Sequence, residues 1–523
     1  AETACVDTLA PLAAVTLPAA TQSEILQDQP YAYWPLNDSQ NASAAGNASG
    51  RTQNVLTPVV ASPGVGIATA GFGAQIGLPG DTGTGWQQQG VTSTSTTNAG
   101  YLLTTTDRAI PQPTSGLGLE LWALAPAGNP AAITAFLASL TAPSSGSNAG
   151  PLIYFALNIG AGVAGNPLVA AGTSTANDSA TTTGNYFDGK WHHHFLWTTA
   201  TNIKWWIDGV KVIDHNWTIT LGGGMYTFAV NGVNLASASQ SSNNVMFAHP
   251  AIYDILPTPS RITAHAQAGL TGFAGEGTGT RSQRILSYGS WTQPRQIDAG
   301  DTAMQAAADL LGKSAPDALG DAFDTEIGLP AVDGAGAIRI AARSSTYNRP
   351  VRWTFDEQSG TPFAADLAFD YDPTFVDNKI TVTRNNGGQG IAQDLPSQKR
   401  NFVRELPRTS YANTDQDAVD QANWLLGKYK DPHLRVAAIT LDPASNPAVW
   451  PVALGIDVGD IATVTRRPTY APAITGKFVV QEVSHDIAPG VWQTKLTLAP
   501  ADPPVLTCDD TTYGVLGSNV LGW

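Results

Sequence analysis

The chain has 523 residues, 42% hydrophobic and only 13% charged, and its 27 basic against 42 acidic side chains leave a net charge of −15. That length exceeds a single hydrophobic core and asks for two to four domains. So acidic a surface excludes nucleic acid and anionic lipid as natural partners, and no apolar run reaches the roughly 20 residues of a membrane span.

Gly, Ser, Thr, Asn and Ala replace the missing charge, which suits a β-rich chain with many loops. Cys5 and Cys508 are the only cysteines. A disulfide between them would tie the two ends together, but two unpaired thiols in a protein made in a reducing cytoplasm is the favoured reading. Residues 1–20 lack a basic segment and are interrupted by Pro11 and Pro18, so they do not read as a signal peptide. The absence of an initiator Met before folded-type sequence leads to the expectation of a fragment or a processed product.

In chain order, Thr21-Gln22-Ser23-Glu24 is expected to cap a helical turn over Ser23–Gln27. Tyr31–Leu36 is a strand with alternating aromatics, and residues 37–100 are short strands in long polar loops. Leu117–Ala125 is a strand with Leu117, Leu119, Leu121 and Ala123 on one face, and Leu152–Ile159 and Asn166–Ala171 continue the meander. Trp191–Ile213 has the clearest pattern in the chain. At period two, Trp191, His193, Phe195 and Trp197 oppose His192, His194 and Leu196; Ile203, Trp205 and Ile207 alternate with polar neighbours; Asp208-Gly209 is a tight hairpin turn. Its three strands are expected at the centre of an antiparallel sandwich, which Met225–Val230 and Asn244–Tyr253 close. Residues 21–255 thus predict a jelly-roll β-sandwich.

Ser260–Ala268 is a helix capped by Ser260 and ended by Gly269, and Gly272–Gly279 is expected to be a flexible linker. Helices follow over Arg281–Tyr288, Thr302–Leu311 and Ala315–Glu326, the last capped by Ser314. Leu329–Val332 and Ala337–Ala342 form a hairpin through Asp333-Gly334, and Phe363–Tyr371 and Asn378–Arg384 are strands. Thr414–Lys430 is the strongest helix, with Thr414 as cap, Asp415 and Asp417 in the first turn and Lys428 and Lys430 in the last. Leu434–Leu441, Val458–Arg466, Gly476–Ile487 and Val491–Leu498 make a compact β-domain. The tail after Pro500 reads as peripheral or partner-dependent. The fold class is therefore mainly β and multidomain, a jelly-roll sandwich followed by α+β and β-rich domains.

Few residues point to chemistry. The His192–His194 trio splits between two faces and has no carboxylate near in sequence to complete a metal site. Glu120 is alone in its strand, whereas glycoside hydrolysis needs paired acids. Asp366, Asp370, Asp372 and Asp377 lack the Gly and distal Glu of a calcium loop and read as turn and capping residues. No phosphate-binding loop and no nucleophile elbow occurs. Hence no catalytic residue, no metal site and no cofactor is assigned, and the chain is not expected to be an enzyme. Among the tryptophans, Trp86, Trp205, Trp206 and Trp217 could stack on sugars; Trp86 and Trp217, in polar loop-like surroundings, are the candidate ligand platforms.

Two regions resemble known families. Tyr31–Leu36, Leu119-Glu120-Leu121-Trp122, Trp191-His192-His193, Trp206-Ile207-Asp208-Gly209 and Ala251-Ile252-Tyr253-Asp254 occur in the order found in laminin-G-like, concanavalin-A-type jelly rolls, over about 21–270. Ile297–Gly300, Asp317–Gly328, Asn378–Arg384, Leu454–Val464 and Val480–Trp492 resemble the C-terminal part of minor tail (tail-tip hub) proteins of long-tailed actinobacterial phages. The opening CVDTLAPLAAVTLP resembles the end of the hub domain that precedes such a jelly roll. The resemblance implies 1–20 as the end of an upstream hub domain, a jelly roll at 21–270, an α+β hub domain at 271–430, a β-rich hub domain at 431–505 and a tail at 506–523. It further implies a structural virion protein at the tail tip, assembled as a homotrimer with tail-tube, distal-tail and tape-measure proteins, whose jelly roll projects towards a host-surface glycan. The upstream hub region is missing from the sequence, and no ligand residues carry over. A secreted carbohydrate-active enzyme and a cell-surface lectin are the alternatives.

Overall fold

The computed structural model describes residues 10–60, 69–89, 101–106, 109–111, 116–127, 135–141, 152–158, 165–172, 177–218, 225–234, 239–241, 245–358, 361–363, 367, 369–370, 375–436, 438–514 and 522. Cys5, Asp366 and Asp372 lie outside them, while Cys508 is exposed. Among the described residues no helix is long and apolar enough to cross a membrane. The protein is mainly β and multidomain. Its contacts divide it into two compact units, one of residues 17–273 with 306–313, the other of residues up to 16 with 274–305 and 314–523.

The first unit is a jelly-roll β-sandwich of two antiparallel sheets. One sheet runs in space as Val210–Asn216, Asn202–Ile207, Trp191–Thr198, Leu117–Leu124, Met246–Tyr253, Thr84–Gln89 and Thr69–Gln75, with Ala32–Tyr33 added to Met246–Tyr253. The other runs Asn177–Thr181, Asn166–Gly172, Leu152–Asn158, Ala135–Thr141, Met225–Val230, Tyr101–Thr104 and Thr57–Val60. Alternation decides what lies between them. Leu117, Leu119, Leu121 and Ala123 point into the core beside Leu196, Ile203, Trp205 and Ile207, as their period-two spacing requires. Phe195, Trp197 and Trp206 point the opposite way, onto Ile25 and Ile262, which belong to the helices Ala20–Gln27 and Pro259–Leu270.

The Trp191–Ile213 region forms three successive strands, but at one edge of its sheet rather than at the centre; Leu117–Leu124 and Met246–Tyr253 take the middle. Asp208 (φ 51°) and Gly209 (φ 80°) both adopt the left-handed conformation that a two-residue hairpin demands. The helix starts also differ from expectation. Ala20–Gln27 begins ahead of Thr21, with no side-chain cap. In Pro259–Leu270 the cap is Thr258, because Pro259 with its fixed φ occupies the first helical position.

Residues 272–279 form no flexible linker. The amide of Gly275 donates to Met304 O at 2.8 Å and Met304 N returns a bond to Glu276 O at 2.8 Å, and Thr278 already opens a helix that runs to Tyr288. Only Ala307–Leu310 of the expected Thr302–Leu311 helix is helical, as a single 3₁₀ turn.

Gly269 marks where the helix meets the sandwich. A Cβ there would lie 2.3 Å from the Trp122 ring. Gly269→Ala is therefore expected to destabilise this unit by ~1–3 kcal/mol through overpacking. A denaturant melt that left the midpoint unchanged would show that the helix is free to shift.

The second unit is α+β. Its five-stranded sheet runs Trp353–Asp356, Ile461–Arg466, Ile474–Ala488, Val491–Pro500 and Ala438–Leu441. A three-stranded sheet, Gln389–Gln393, Lys379–Arg384 and Glu405–Ser410, buries Ile380, Val382 and Ala392 against Ala418, Ala422 and Leu425 of the helix Asp415–Tyr429. That helix carries the expected Thr414–Asp417 capping box, and Ser314 caps Ala315–Glu326 through the Asp317 amide.

Candidate functional site

On the strand Leu117–Leu124 the residues between the inward leucines face the helices, so Glu120 leaves the sandwich core on the side where Pro259–Leu270 packs. Its two neighbouring strands supply His193 and Tyr253, and the helix supplies His265. His193 Nε2 lies 2.7 Å and His265 Nδ1 3.0 Å from Glu120 Oε1, and the Tyr253 hydroxyl donates to Oε2. His265 Nε2 lies 2.7 Å from Asp28 Oδ2. Arg261, one turn earlier on the same helix, pairs with Asp28 at 2.9 Å and with Glu24 at 2.6 Å. Glu120, His193 and His265 are fully buried.

Isolated charges so placed would be very costly, so the charges must be shared. Burial opposes a charged imidazole at His265, but the Glu120 charge and the hydrogen bonds to Asp28 and Glu120 outweigh it and push its pKa up to about 9. Burial likewise opposes ionisation of Glu120, yet the cation at His265 and the two histidine hydrogen bonds hold its carboxyl well below the usual range. The cluster is thus a carboxylate–imidazolium pair extended to a second carboxylate.

Donor atoms of Glu120, His193 and His265 all lie within 4.8 Å of one another, close enough to test as a metal site. Both nitrogens address one carboxylate oxygen, at 2.7 and 3.0 Å. Tetrahedral zinc, with bonds of about 2.0–2.1 Å, would hold its donors roughly 3.3 Å apart. The observed spacings are those of hydrogen bonds, shorter than a tetrahedral zinc would set. Nor is the cluster placed for acid–base work on a substrate, since no atom of Glu120 reaches solvent.

A second buried relay lies on the same sheet: Tyr33 to His249 Nδ1 at 2.8 Å, and His249 Nε2 to Asp81 at 2.8 Å. His249 sits at φ 52°, within an irregularity of the strand Met246–Tyr253.

The histidine trio divides as its alternation requires. His194 faces the core 5.7 Å from the Trp205 ring, where burial holds its pKa well down and the ring neutral. His192 does have carboxylates nearby: Asp208 at 2.7 Å and Asp188, four residues earlier, at 3.1 Å. The expectation that no acid stood close in sequence is corrected. Asp208 also accepts the His193 amide at 2.9 Å, locking the hairpin turn to the strand.

Neither tryptophan proposed as a ligand platform presents a ring at the surface. Trp86 lies on a strand, not in a loop, and is fully buried beside Phe247. Trp217 follows an edge strand, bonds its amide to Thr201 O at 2.9 Å, and turns its ring into the core. Trp205 is core as well, and Trp206 is covered on the helix side.

An aromatic on an open face occurs instead at Tyr154, on the outer side of the other sheet. It is half-buried, in register with Ser139 on one side and Ala170 on the other, and Ala170 is in register with Ser179. Ser139 is buried and bonded to Gly232 O, but on the other side Ala170 and Ser179 leave a shallow groove of about 500 Å³ bounded by Gly172, Asn177 and Asp178. The sequence did not distinguish Tyr154 from the core aromatics, because Ile153 and Phe155 flank it in an apolar run.

No family model matches the chain. No curated protein matches it either. Among solved structures it is similar to domain 4 of AbnA, a GH43 extracellular arabinanase from Geobacillus stearothermophilus, in complex with arabinotriose (16% identity, 46% of this chain and 98% of that one, TM-score 0.32). It is also similar to the binding domain of botulinum neurotoxin serotype C1 (11%, 48% and 54%, TM-score 0.30) and to Trypanosoma rangeli sialidase (11%, 45% and 32%, TM-score 0.29). The chain spans about half of the neurotoxin domain and a third of the sialidase.

Proposed function

We propose that this chain is a structural component of a phage tail tip, a minor tail protein whose jelly roll is inserted into a hub and projects towards a host-surface glycan. The observation that carries the reading is the order of the two units along the chain. Residues 10–16, which precede the sandwich, belong with the unit that follows it: Thr16 bridges to Ser314, and Leu12 lines an apolar groove with Leu319, Phe323 and Ile338. A sandwich mounted as an insertion in a hub has this order, whereas a lectin or secreted enzyme built as a string of domains does not need it.

The proposal places the protein in the virion with tail-tube, distal-tail and tape-measure proteins as partners and a homotrimer as its form. It assigns no catalysis, cofactor or metal. Immunogold labelling of intact particles with antibody to the purified chain tests the location; a tail tip without label would sink it. For the glycan, Tyr154→Ala is expected to weaken retention on immobilised host cell-wall polysaccharide by at least about tenfold, as loss of one stacking platform does, with the melting temperature unchanged. Equal retention by the variant would remove the groove as the sugar site.

A further inference from the structure

The α+β unit holds a pocket of about 340 Å³ against its five-stranded sheet. The floor is one row of side chains, Ile461, Val479 and Ala499, which stand in register on three adjacent strands. Their neighbours in sequence, Ala462, Val480 and Leu498, point the other way into the core of the unit, as the period of two requires. The floor is therefore apolar and only half covered.

The walls carry charge. Arg349 and Arg435 both line the pocket, and Lys428 lines it together with Asp502, its ion-pair partner. Most arginines among the described residues have a carboxylate partner, as Arg352 has Asp460, Arg339 has Asp457 and Arg467 has Asp356. Arg349 and Arg435 have none among those residues. Arg349 donates from Nε to Ser345 O at 2.7 Å and from one Nη to Gly459 O at 3.1 Å, and both acceptors are neutral. The Arg435 guanidinium lies over the Phe375 ring, 3.7 Å from its centre, which holds the cation in place without neutralising it. Burial and the nearby Arg339 hold the Arg349 pKa below its ordinary value, and the more distant Asp298 and Asp460 offset this only in part. Two half-buried guanidinium groups thus share one pocket, and no carboxylate of the described residues answers their charge.

We infer that this pocket binds a carboxylate carried on a short apolar body, with Arg349 and Arg435 on its oxygens and the Ile461–Val479–Ala499 row beneath its hydrocarbon. A planar guanidinium matches the two oxygens of a carboxylate. The pocket's own negative groups favour one charge on the ligand over two. The helices Ala315–Glu326 and Asp415–Tyr429 both end at its rim, at Ile327 and at Tyr429. Their carbonyl ends, like Asp502, oppose a phosphate dianion. A small organic acid and the free C-terminus of a peptide present the same group. The site goes beyond the tail-tip reading and does not depend on it.

Isothermal titration of the full chain with isovalerate, with its neutral amide isovaleramide and with inorganic phosphate tests the site. Isovalerate is expected to bind in the millimolar range. Isovaleramide and phosphate should bind at least about tenfold more weakly, as loss of one charge-assisted hydrogen bond implies. Arg435→Gln and Arg349→Lys should each lower the isovalerate affinity by at least about tenfold, the second because lysine keeps the charge but not the fork. The Arg435 guanidinium donates no hydrogen bond to the described residues, so Arg435→Gln should melt close to the unaltered chain, which separates binding from folding. A dipeptide ending in valine tells the two sources apart. Tighter binding than isovalerate, lost when its C-terminus is amidated, assigns a peptide end; weaker binding assigns a small acid. Equal binding of isovalerate and its amide, no binding of isovalerate or the dipeptide, or unchanged affinity in both variants would overturn the site. Phosphate bound more tightly than isovalerate would overturn the carboxylate. Immunogold labelling tests the tail-tip location separately, and none of these titrations bears on it.

Discussion

Glu120→Ala is expected to cost the sandwich about 3–5 kcal/mol. The loss comes from the partners left behind more than from the pair itself. Without the carboxylate, the His265 imidazolium keeps only Asp28 on its outer nitrogen, while His193 Nε2 and the Tyr253 hydroxyl lose their acceptor inside a fully buried site. A charge and two polar groups would then be buried unmatched. Glu120→Gln, which keeps the shape and one acceptor, should cost less. In the double variant Glu120→Ala with His265→Ala, the second change should cost less than His265→Ala alone, because the two residues act as a pair. Denaturant midpoints followed by tryptophan fluorescence give these values. A Glu120→Ala midpoint equal to that of the unaltered chain would mean that the network does not hold the helix to the sheet.

Stability should also fall as the pH is raised, over a window that His265 sets. Its pKa is about 9 in the folded chain against an ordinary 6.5. A group raised in this way contributes fully below the unfolded value, loses its contribution between pH 6.5 and 9, and gives nothing above. A shift of that size corresponds to about 3 kcal/mol. The groups facing the ring are Glu120 and His193 from the sheet, Tyr253 beside them, Asp28 at the end of the neighbouring helix and Arg261 on its own helix. The acids act in the opposite sense. Glu120 and Asp28 are both lowered, so their contribution is present above about pH 4 and lost as the pH falls below it. Because the Glu120–His265 interaction is shared, the two limbs describe one energy seen from either side. Melting temperatures from pH 4 to 10 should trace a dome with its alkaline limb centred near pH 8, and His265→Ala should flatten that limb. A limb that survives the substitution would belong to other groups.

Most of the fold was legible where the physics is local. The period-two faces of Leu117–Ala125 and Trp191–Ile213, the Asp208-Gly209 turn and the capped helices at Ser314 and Thr414 follow from residues within one turn or one strand. Sheet order was not legible, because a strand's neighbours are set by pairing across a hundred residues or more; the tryptophan-rich strands therefore looked central although they lie at an edge. The same limit hid the buried network. Glu120 and His265 are 145 residues apart, and neither stands out within its own element. A signal did exist in their exceptions: one acid among the apolar positions of a strand, and one histidine on the helix stripe otherwise made of Ile262, Ala266 and Gly269. Polar neighbours in sequence suggest exposure for Trp86 and Trp217, whereas a strand between polar loops can carry its indole inward.

The insertion of the sandwich also has a kinetic consequence. The two halves of the second unit are separated by some 250 residues, and holding the ends of so long a loop together while it is unfolded costs about 5 kcal/mol of chain entropy. Once the sandwich has folded, that cost has been met within it. Its own stretch 306–313 bonds both Leu17 and Gly272, through Lys313 O to the Leu17 amide at 2.8 Å and through the Ala307 amide to Gly272 O at 2.8 Å. During synthesis the segment that ends at Thr16 must therefore wait until the whole sandwich and the strands after it have been made. The order of assembly follows from the topology: the sandwich can fold as soon as its own strands are made, and the second unit only after its later residues follow.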